Sequence, residues 1–229
     1  MKIVKFGLFF GVLLACVLPA WAETDGDFGY EVVDENAIVT NYTGSDAVLS
    51  IPSTLGGYSV VSVDTEAFRG NTDLTEVTFP DTLLTLGDSA FAGCTALENV
   101  QWGASIVSIG TSAFADTAIR ELVIPDSVTN LGYSLVSPFL ERVTIGNGIT
   151  ELCCSKFGTN LQSVVIGDGV TNITSGSFSG CAQLTNVVFG ANVQDIDSGA
   201  FSGCSSLTDF VAPPTLKILK TARLAVARA

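Results

Sequence analysis

Serine and cysteine stand close together in the segment SAFAGC, residues Ser89–Cys94. A serine or a thiol on a sharp turn is a candidate nucleophile when a base lies beside it. The chain has no histidine, which is the usual base. Similar segments recur at Ser175–Cys181 and Ser198–Cys204, whereas catalysis needs one nucleophile. The sequence therefore predicts structural turns at these places and no enzyme.

Ligands for a metal or a cofactor are also sparse. Asp25 and Asp27 offer two carboxylates, as do Asp195 and Asp197, and calcium needs more oxygen ligands than either pair provides. The chain has no Cys-x-x-Cys pair. We therefore expect no catalytic residue, no metal and no cofactor.

The main signal in the sequence is a repeat. A leucine or isoleucine recurs at steps of 23, 22, 21, 21, 23 and 23 residues. These residues are Leu74, Leu97, Ile119, Leu140, Leu161, Leu184 and Leu207. A period in this range is typical of a solenoid whose units each contain one short strand and a return segment.

The unit LTEVTFPDTLLTLGDSAFAGCTA shows how each repeat contributes to the core. Val77 and Phe79 are two residues apart, as on one face of a strand, and Pro80 ends that strand. Leu83 and Leu86 enter the core from the return segment. A phenylalanine follows at the same place in most units, and stacked units would form a phenylalanine ladder broken by Val136. Its members are Phe68, Phe91, Phe114, Phe157, Phe178 and Phe201.

The pattern LxxVxIPxxVxxIGxxAFxxC resembles the BspA-type leucine-rich repeat of bacterial and protist cell-surface proteins. Residues Ala37–Phe68 also resemble the family's usual first unit. The resemblance implies an α/β, horseshoe-like leucine-rich-repeat solenoid with short parallel β-strands on one face and loops and short helical turns on the other. It also implies attachment to matrix glycoproteins, other cells or surface polymers.

Four segments follow from these patterns. Residues 1–22 are predicted to be a signal peptide, because two lysines precede a short apolar run and an Ala-x-Ala site. Residues 23–73 form an N-terminal cap and first repeat, 74–219 the tandem repeats, and 220–229 a basic tail or cap. We expect a secreted or surface location, with the periplasm open. An alternative lipoprotein box would instead anchor the chain through Cys16.

The charge of the chain limits its partners. There are 23 acidic residues and 10 basic ones, for a net charge of −13. Such a surface should repel nucleic acid and anionic lipid. No segment beyond the leader approaches the length of a membrane span.

Two outward-facing columns are the candidate partner-binding surface, because alternate strand residues must point away from the core. One column contains Thr78, Gln101, Val123, Thr144, Val165 and Val188. Its neighbour contains Glu76, Asn99, Glu121, Arg142, Ser163 and Asn186. Exposed valines beside polar side chains favour a protein-binding surface, although strand propensity alone also explains valine.

Cys181 and Cys204 occupy equivalent places in adjacent units, and the spacing between stacked units would allow a disulfide between them.

These patterns predict a non-enzymatic secreted or surface protein that mediates protein binding or cell adhesion through a concave sheet. The partner would be a protein or glycoprotein on host or neighbouring cells. The alternative is an architectural envelope component, or a fragment of a larger surface protein, with no ligand of its own.

Overall fold

The computed structural model describes residues 23–134, 137–153, 157–208 and 211–219. The predicted signal peptide with Cys16, the residue Val136 and the basic tail 220–229 lie outside the described residues. Within the described part, the chain is a β-solenoid of about eight turns.

Seven turns of the described part of the solenoid each place a strand in a first layer, whose strands run parallel in the order of the repeats. The strands of this layer are β4 (Val48–Ser50), β7 (Glu76–Thr78), β9 (Asn99–Gln101), β11 (Glu121–Ile124), β13 (Arg142–Ile145), β15 (Ser163–Ile166) and β17 (Asn186–Val188). They form two parallel sheets, of which one contains β4, β7 and β9 and the other β11, β13, β15 and β17.

The return segments supply a second parallel layer made largely of two-residue strands. Its strands are β6 (Tyr58–Val63), β8 (Thr85–Leu86), β10 (Ser108–Ile109), β12 (Asn130–Leu131), β14 (Glu151–Leu152), β16 (Asn172–Ile173), β18 (Asp195–Ile196) and β19 (Ile218–Leu219). The repeat pattern predicted strands on one face only, so this second layer is an addition to the expected fold.

The N-terminal residues form antiparallel strands beside the first unit. These strands are β1 (Glu23–Asp25), β2 (Phe28–Val33), β3 (Asn36–Tyr42) and β5 (Thr54–Leu55). The strand β3 also pairs in parallel with β6, so the antiparallel hairpin of β2 and β3 leads directly into the second layer.

The core lies between the two layers and the turns that join them. Val77 enters it from β7, and Phe79 enters it directly after that strand. Leu83 and Leu86 come from the return segment and Phe91 from the following turn, and all five are at most 3% exposed. Burying such side chains contributes on the order of 1.5 to 3 kcal/mol each. The predicted inward positions are therefore confirmed for this unit.

The turns between the second layer and the next unit contain no helix in any part of the chain that the structure describes. The short helical turns expected on the return side are instead successive tight turns. Backbone bonds from Ala67 N to Asp64 O and from Arg69 N to Glu66 O, for example, each span three residues. Close stacking of one turn on the next supplies the remaining backbone partners, as from Phe68 N to Ala90 O at 2.8 Å.

The turns stack phenylalanine on phenylalanine. Ring centroids are 4.6 Å apart between Phe68 and Phe91, and 5.1 Å apart between Phe178 and Phe201. Tyr42 continues the ladder at 5.5 Å from Phe68, and Phe28 lies 4.9 Å beyond Tyr42. The N-terminal strands therefore cover the first core layer with aromatic rings of their own.

Among the described residues, none belongs to a helix long and apolar enough to cross a membrane.

Candidate partner-binding face

The first layer holds the predicted outward columns in register. Val123 pairs with Thr144, Thr144 with Val165, and Val165 with Val188 along the strands β11 to β17. The neighbouring column is aligned in the same way, with Glu121 beside Arg142. The remaining residues of that column on these strands are Ser163 and Asn186. Parallel pairing thus brings side chains that are 21 to 23 residues apart in sequence onto one surface.

Solvent exposure separates the two faces of these strands. Val164 and Ile166 are buried, whereas Val165 between them is 39% exposed. Val123 is 49% exposed and Val188 is 47% exposed. We call the column Val123, Thr144, Val165 and Val188 the valine stripe. It is an apolar strip on a surface whose other residues are mostly polar.

The column beside the valine stripe is polar and partly ion-paired. The guanidinium of Arg142 donates from Nε and Nη2 to Glu121 Oε2, both at 3.0 Å. Asn186 Nδ2 donates to Ser163 Oγ at 3.0 Å. These side chains are exposed or half-buried, so the contacts set their orientation more than they stabilise the fold.

A groove of about 500 Å³ runs along the valine stripe. Its other wall is formed by the turns that follow the strands and includes Asp126, Asn147 and Asp168. Side chains of this wall accept hydrogen bonds from the backbone amides of the next turn. Asp126 Oδ1 accepts from Asn147 N at 2.8 Å, and Asn147 Oδ1 accepts from Asp168 N at 2.7 Å. The groove is therefore apolar along one side and polar, with two carboxylates, along the other.

The predicted columns are not continuous over the whole solenoid. Thr78 and Gln101, with Glu76 and Asn99 beside them, lie on β7 and β9, in the other sheet of the first layer. Between β9 and β11 the strand pairing is interrupted. The two groups of predicted residues share a side of the molecule, but the valine stripe itself belongs to the second group.

Two members of the columns at the N-terminal end were not predicted from the sequence. Val48 pairs with Glu76, and Ser50 pairs with Thr78. The signal that would have found them is the dipeptide Ile51-Pro52, which repeats the inward residue and the following proline of the next unit.

Three of the described cysteines, Cys94, Cys181 and Cys204, lack the features of a reactive thiol. Cys181 and Cys204 are free thiols, so the disulfide considered between them is not present in the structure. Cys204 Sγ instead donates to the carbonyl of Phe178 at 3.2 Å. Burial raises the pKa of Cys181 to about 12 and those of Cys94 and Cys204 to about 11. A nucleophilic cysteine needs the opposite shift.

The described residues contain no group of three cysteine, aspartate or glutamate side chains arranged to hold a metal ion.

The fold defines a class of protein, the β-solenoid of stacked repeats with parallel strands. Comparison with protein families identifies the repeat. Residues 61–157 and 133–225 match the BspA type leucine rich repeat region, in six copies. The matched segments cover more than half of the chain, which therefore belongs to this family.

A solved structure shows the same architecture. The chain is similar to a leucine-rich repeat protein from T. pallidum, with 28% identity and a TM-score of 0.72 over 82% of this chain and 92% of that one. It is also similar to a leucine-rich repeat protein from Bacteroides capillosus, with 26% identity and a TM-score of 0.49 over 54% of this chain and 97% of that one. A comparison with curated proteins gives no match.

Proposed function

We propose that this protein is a non-enzymatic binding protein that recognises a protein or glycoprotein through the valine stripe and the groove beside it. The observation that supports this proposal most strongly is the alignment of exposed valines on neighbouring strands, where Val165 lies directly beside Val188. Apolar side chains grouped on a surface are typical of interaction sites. Membership of the BspA-type leucine-rich repeat family supports a role in protein interaction.

A secreted or surface location accompanies this proposal. The expected leader at residues 1–22 supports export, and a partner outside the cell would then meet the groove directly. Adhesion to host or neighbouring cells is the specific role that we propose.

Binding of the purified chain to immobilised matrix glycoproteins and to whole cells tests the proposal. The variant Val165→Glu/Val188→Glu places two carboxylates in the stripe. Burying an unpaired carboxylate costs several kcal/mol, so we expect affinity to fall at least about a hundredfold.

The matched control is Leu84→Glu/Val107→Glu, at two positions that directly precede the second-layer strands β8 and β10. Leu84 is 42% exposed and Val107 is 39% exposed, close to the values for the stripe. The control should bind like the unmodified chain, and both variants should unfold at unchanged urea concentration. If the unmodified chain binds no partner saturably, the architectural role is favoured instead.

A further inference from the structure

A second cleft lies beside the ion-paired column, on the side away from the valine stripe. Its volume is about 230 Å³, and it is lined by Arg120, Phe139, Glu141, Asn160, Gln162 and Gln183. These residues come from successive units, so the cleft is built by stacking and not by one loop. Its lining combines an aromatic ring, an ion pair and three carboxamides.

The aromatic part of the cleft is accessible and held in place. Phe139 is 48% exposed, although a residue of this size is usually buried. Its backbone N–H donates to Ser137 Oγ at 3.2 Å, and Ser137 Oγ donates to the carbonyl of Thr117 at 2.8 Å. The Arg120 guanidinium lies 5.7 Å from the ring centroid. The backbone of Phe139 is therefore held in place, and the exposed part of its ring that the Arg120 guanidinium does not cover presents an apolar surface.

The charges around the cleft are already matched to one another. Glu141 accepts from Arg120 Nη1 at 2.6 Å and from Arg142 Nη1 at 3.4 Å. Arg142 also pairs with Glu121 at 3.0 Å. Two guanidinium groups and two carboxylates form this cluster, so it has no net charge to attract an ionic ligand.

The cleft side chains that remain available for hydrogen bonding are uncharged. The side-chain amides of Gln162 and Gln183 are exposed, and neither has a hydrogen bond to any residue that the structure describes. Their backbones are fixed, because Gln162 N donates to Glu141 O at 2.8 Å and Gln183 N to Thr159 O at 3.2 Å. Each amide offers two donors and an acceptor. Such groups suit a ligand with several adjacent hydroxyls.

We propose that this cleft binds a neutral sugar residue of a glycan. A pyranose has an apolar C–H face that can contact Phe139 and hydroxyls that can bond with Gln162 and Gln183. The net charge of −13 disfavours an acidic glycan, since long-range repulsion acts on an anionic ligand and not on a neutral one. The proposal does not depend on the valine stripe, because the two sites share no residue.

Saturation-transfer NMR with the purified chain tests the proposal. The probes are glucose, galactose, mannose and N-acetylglucosamine and their linear trimers, with glucuronate and sialyllactose as acidic counterparts. We expect saturable millimolar binding of at least one neutral sugar, and no tighter binding of an acidic one. Loss of two hydrogen-bonding amides in Gln162→Ala/Gln183→Ala should weaken that binding about tenfold or more.

The control is Asn130→Ala, which removes an exposed carboxamide from β12 outside the cleft and should bind as the unmodified chain does. Phe139→Leu keeps an apolar residue but removes the ring, and it should also weaken binding. The proposal is overturned if no neutral sugar binds, if acidic sugars alone bind, or if the double glutamine variant binds with unchanged affinity. Loss of protein binding in the stripe variant with sugar binding retained would show that the two sites are separate.

Discussion

Trp102 Nε1 donates a hydrogen bond to the carbonyl oxygen of Val123 at 2.7 Å. In the two preceding steps of the first layer the equivalent donors are backbone amides, from Ile51 N to Thr78 O and from Phe79 N to Gln101 O. The indole thus takes the place of a backbone donor where the pairing between β9 and β11 is interrupted. Its ring also stacks on Phe79 at 5.2 Å, so one side chain joins the two halves of the layer.

Replacing Trp102 by phenylalanine should separate these two contributions. Trp102→Phe keeps much of the ring packing but leaves the Val123 carbonyl without its donor. We expect a loss of about 1 to 2 kcal/mol in the free energy of unfolding, measured by urea titration. Trp102→Ala also removes the packing and should cost about 3 to 5 kcal/mol. Equal losses in the two variants would show that the hydrogen bond, and not the stacking, carries the effect.

Gly110 lies where successive turns of the solenoid approach closely. A Cβ atom at this position would lie 2.6 Å from the backbone nitrogen of Asp88. The variant Gly110→Ala must therefore push neighbouring turns apart, and we expect it to cost about 1 to 3 kcal/mol in urea unfolding. Ser202→Ala, at an exposed position on a later turn, should stay within about 0.5 kcal/mol of the unmodified chain. A cost for Gly110→Ala within that same range would contradict the close approach.

Ser112 adopts a left-handed backbone conformation with φ of 56°. Gly176 and Gly199 occupy the same place relative to the phenylalanine of their units. Glycine reaches this conformation without a steric penalty. We therefore expect Ser112→Gly to raise the free energy of unfolding by about 0.5 to 1 kcal/mol, whereas Ser112→Ala should not raise it. Thermal and urea unfolding of the two variants measure the difference, and a destabilised Ser112→Gly would refute it.

The buried thiols predict a dependence of stability on pH. Burial raises the pKa of Cys181 to about 12 from its usual value of 9.0, so the unfolded thiol ionises at a lower pH than the folded one. The folded state then binds more protons, and stability must fall as the pH rises from about 9 towards 12. Comparing the chain with Cys181→Ala at several pH values isolates this effect. The variant should lose less stability over that interval.

The same burial should protect Cys94 and Cys181 from thiol reagents. We expect little reaction with Ellman's reagent at these residues in the folded protein at pH 8, and rapid reaction in urea. Peptide mapping after labelling assigns each thiol. Fast labelling of Cys181 in the folded state would contradict its burial.

Much of the fold could be predicted because the repeat aligns like residues. The alternation of Val77, Phe79 and their equivalents identifies the strands of the first layer, and the recurring phenylalanine identifies the stacked turns. The strands of the second layer could not be found in this way, since two residues are too few to show an alternating pattern. Tyr42 lies in the ladder without matching the repeat, because the N-terminal strands place it there by tertiary packing.

The candidate site was predictable in part for the same reason. The outward positions follow from the strand period, so the valine stripe could be assigned to one face before the structure was known. The interruption beside Trp102 could not, since it depends on an indole that reaches the carbonyl of a different unit. The cleft at Phe139 depends on contacts among several units, and no single repeat contains its pattern.

The most direct test of recognition through the valine stripe is photo-crosslinking to a bound partner. A photoreactive phenylalanine analogue replaces Val165 in one protein and Val107 in another, and both valines are 39% exposed. Each protein is mixed with the glycoprotein or cells that the unmodified chain binds, illuminated, and examined for covalent adducts. We expect adducts from position 165 and few or none from position 107. Adducts from position 107 with none from position 165 would contradict it.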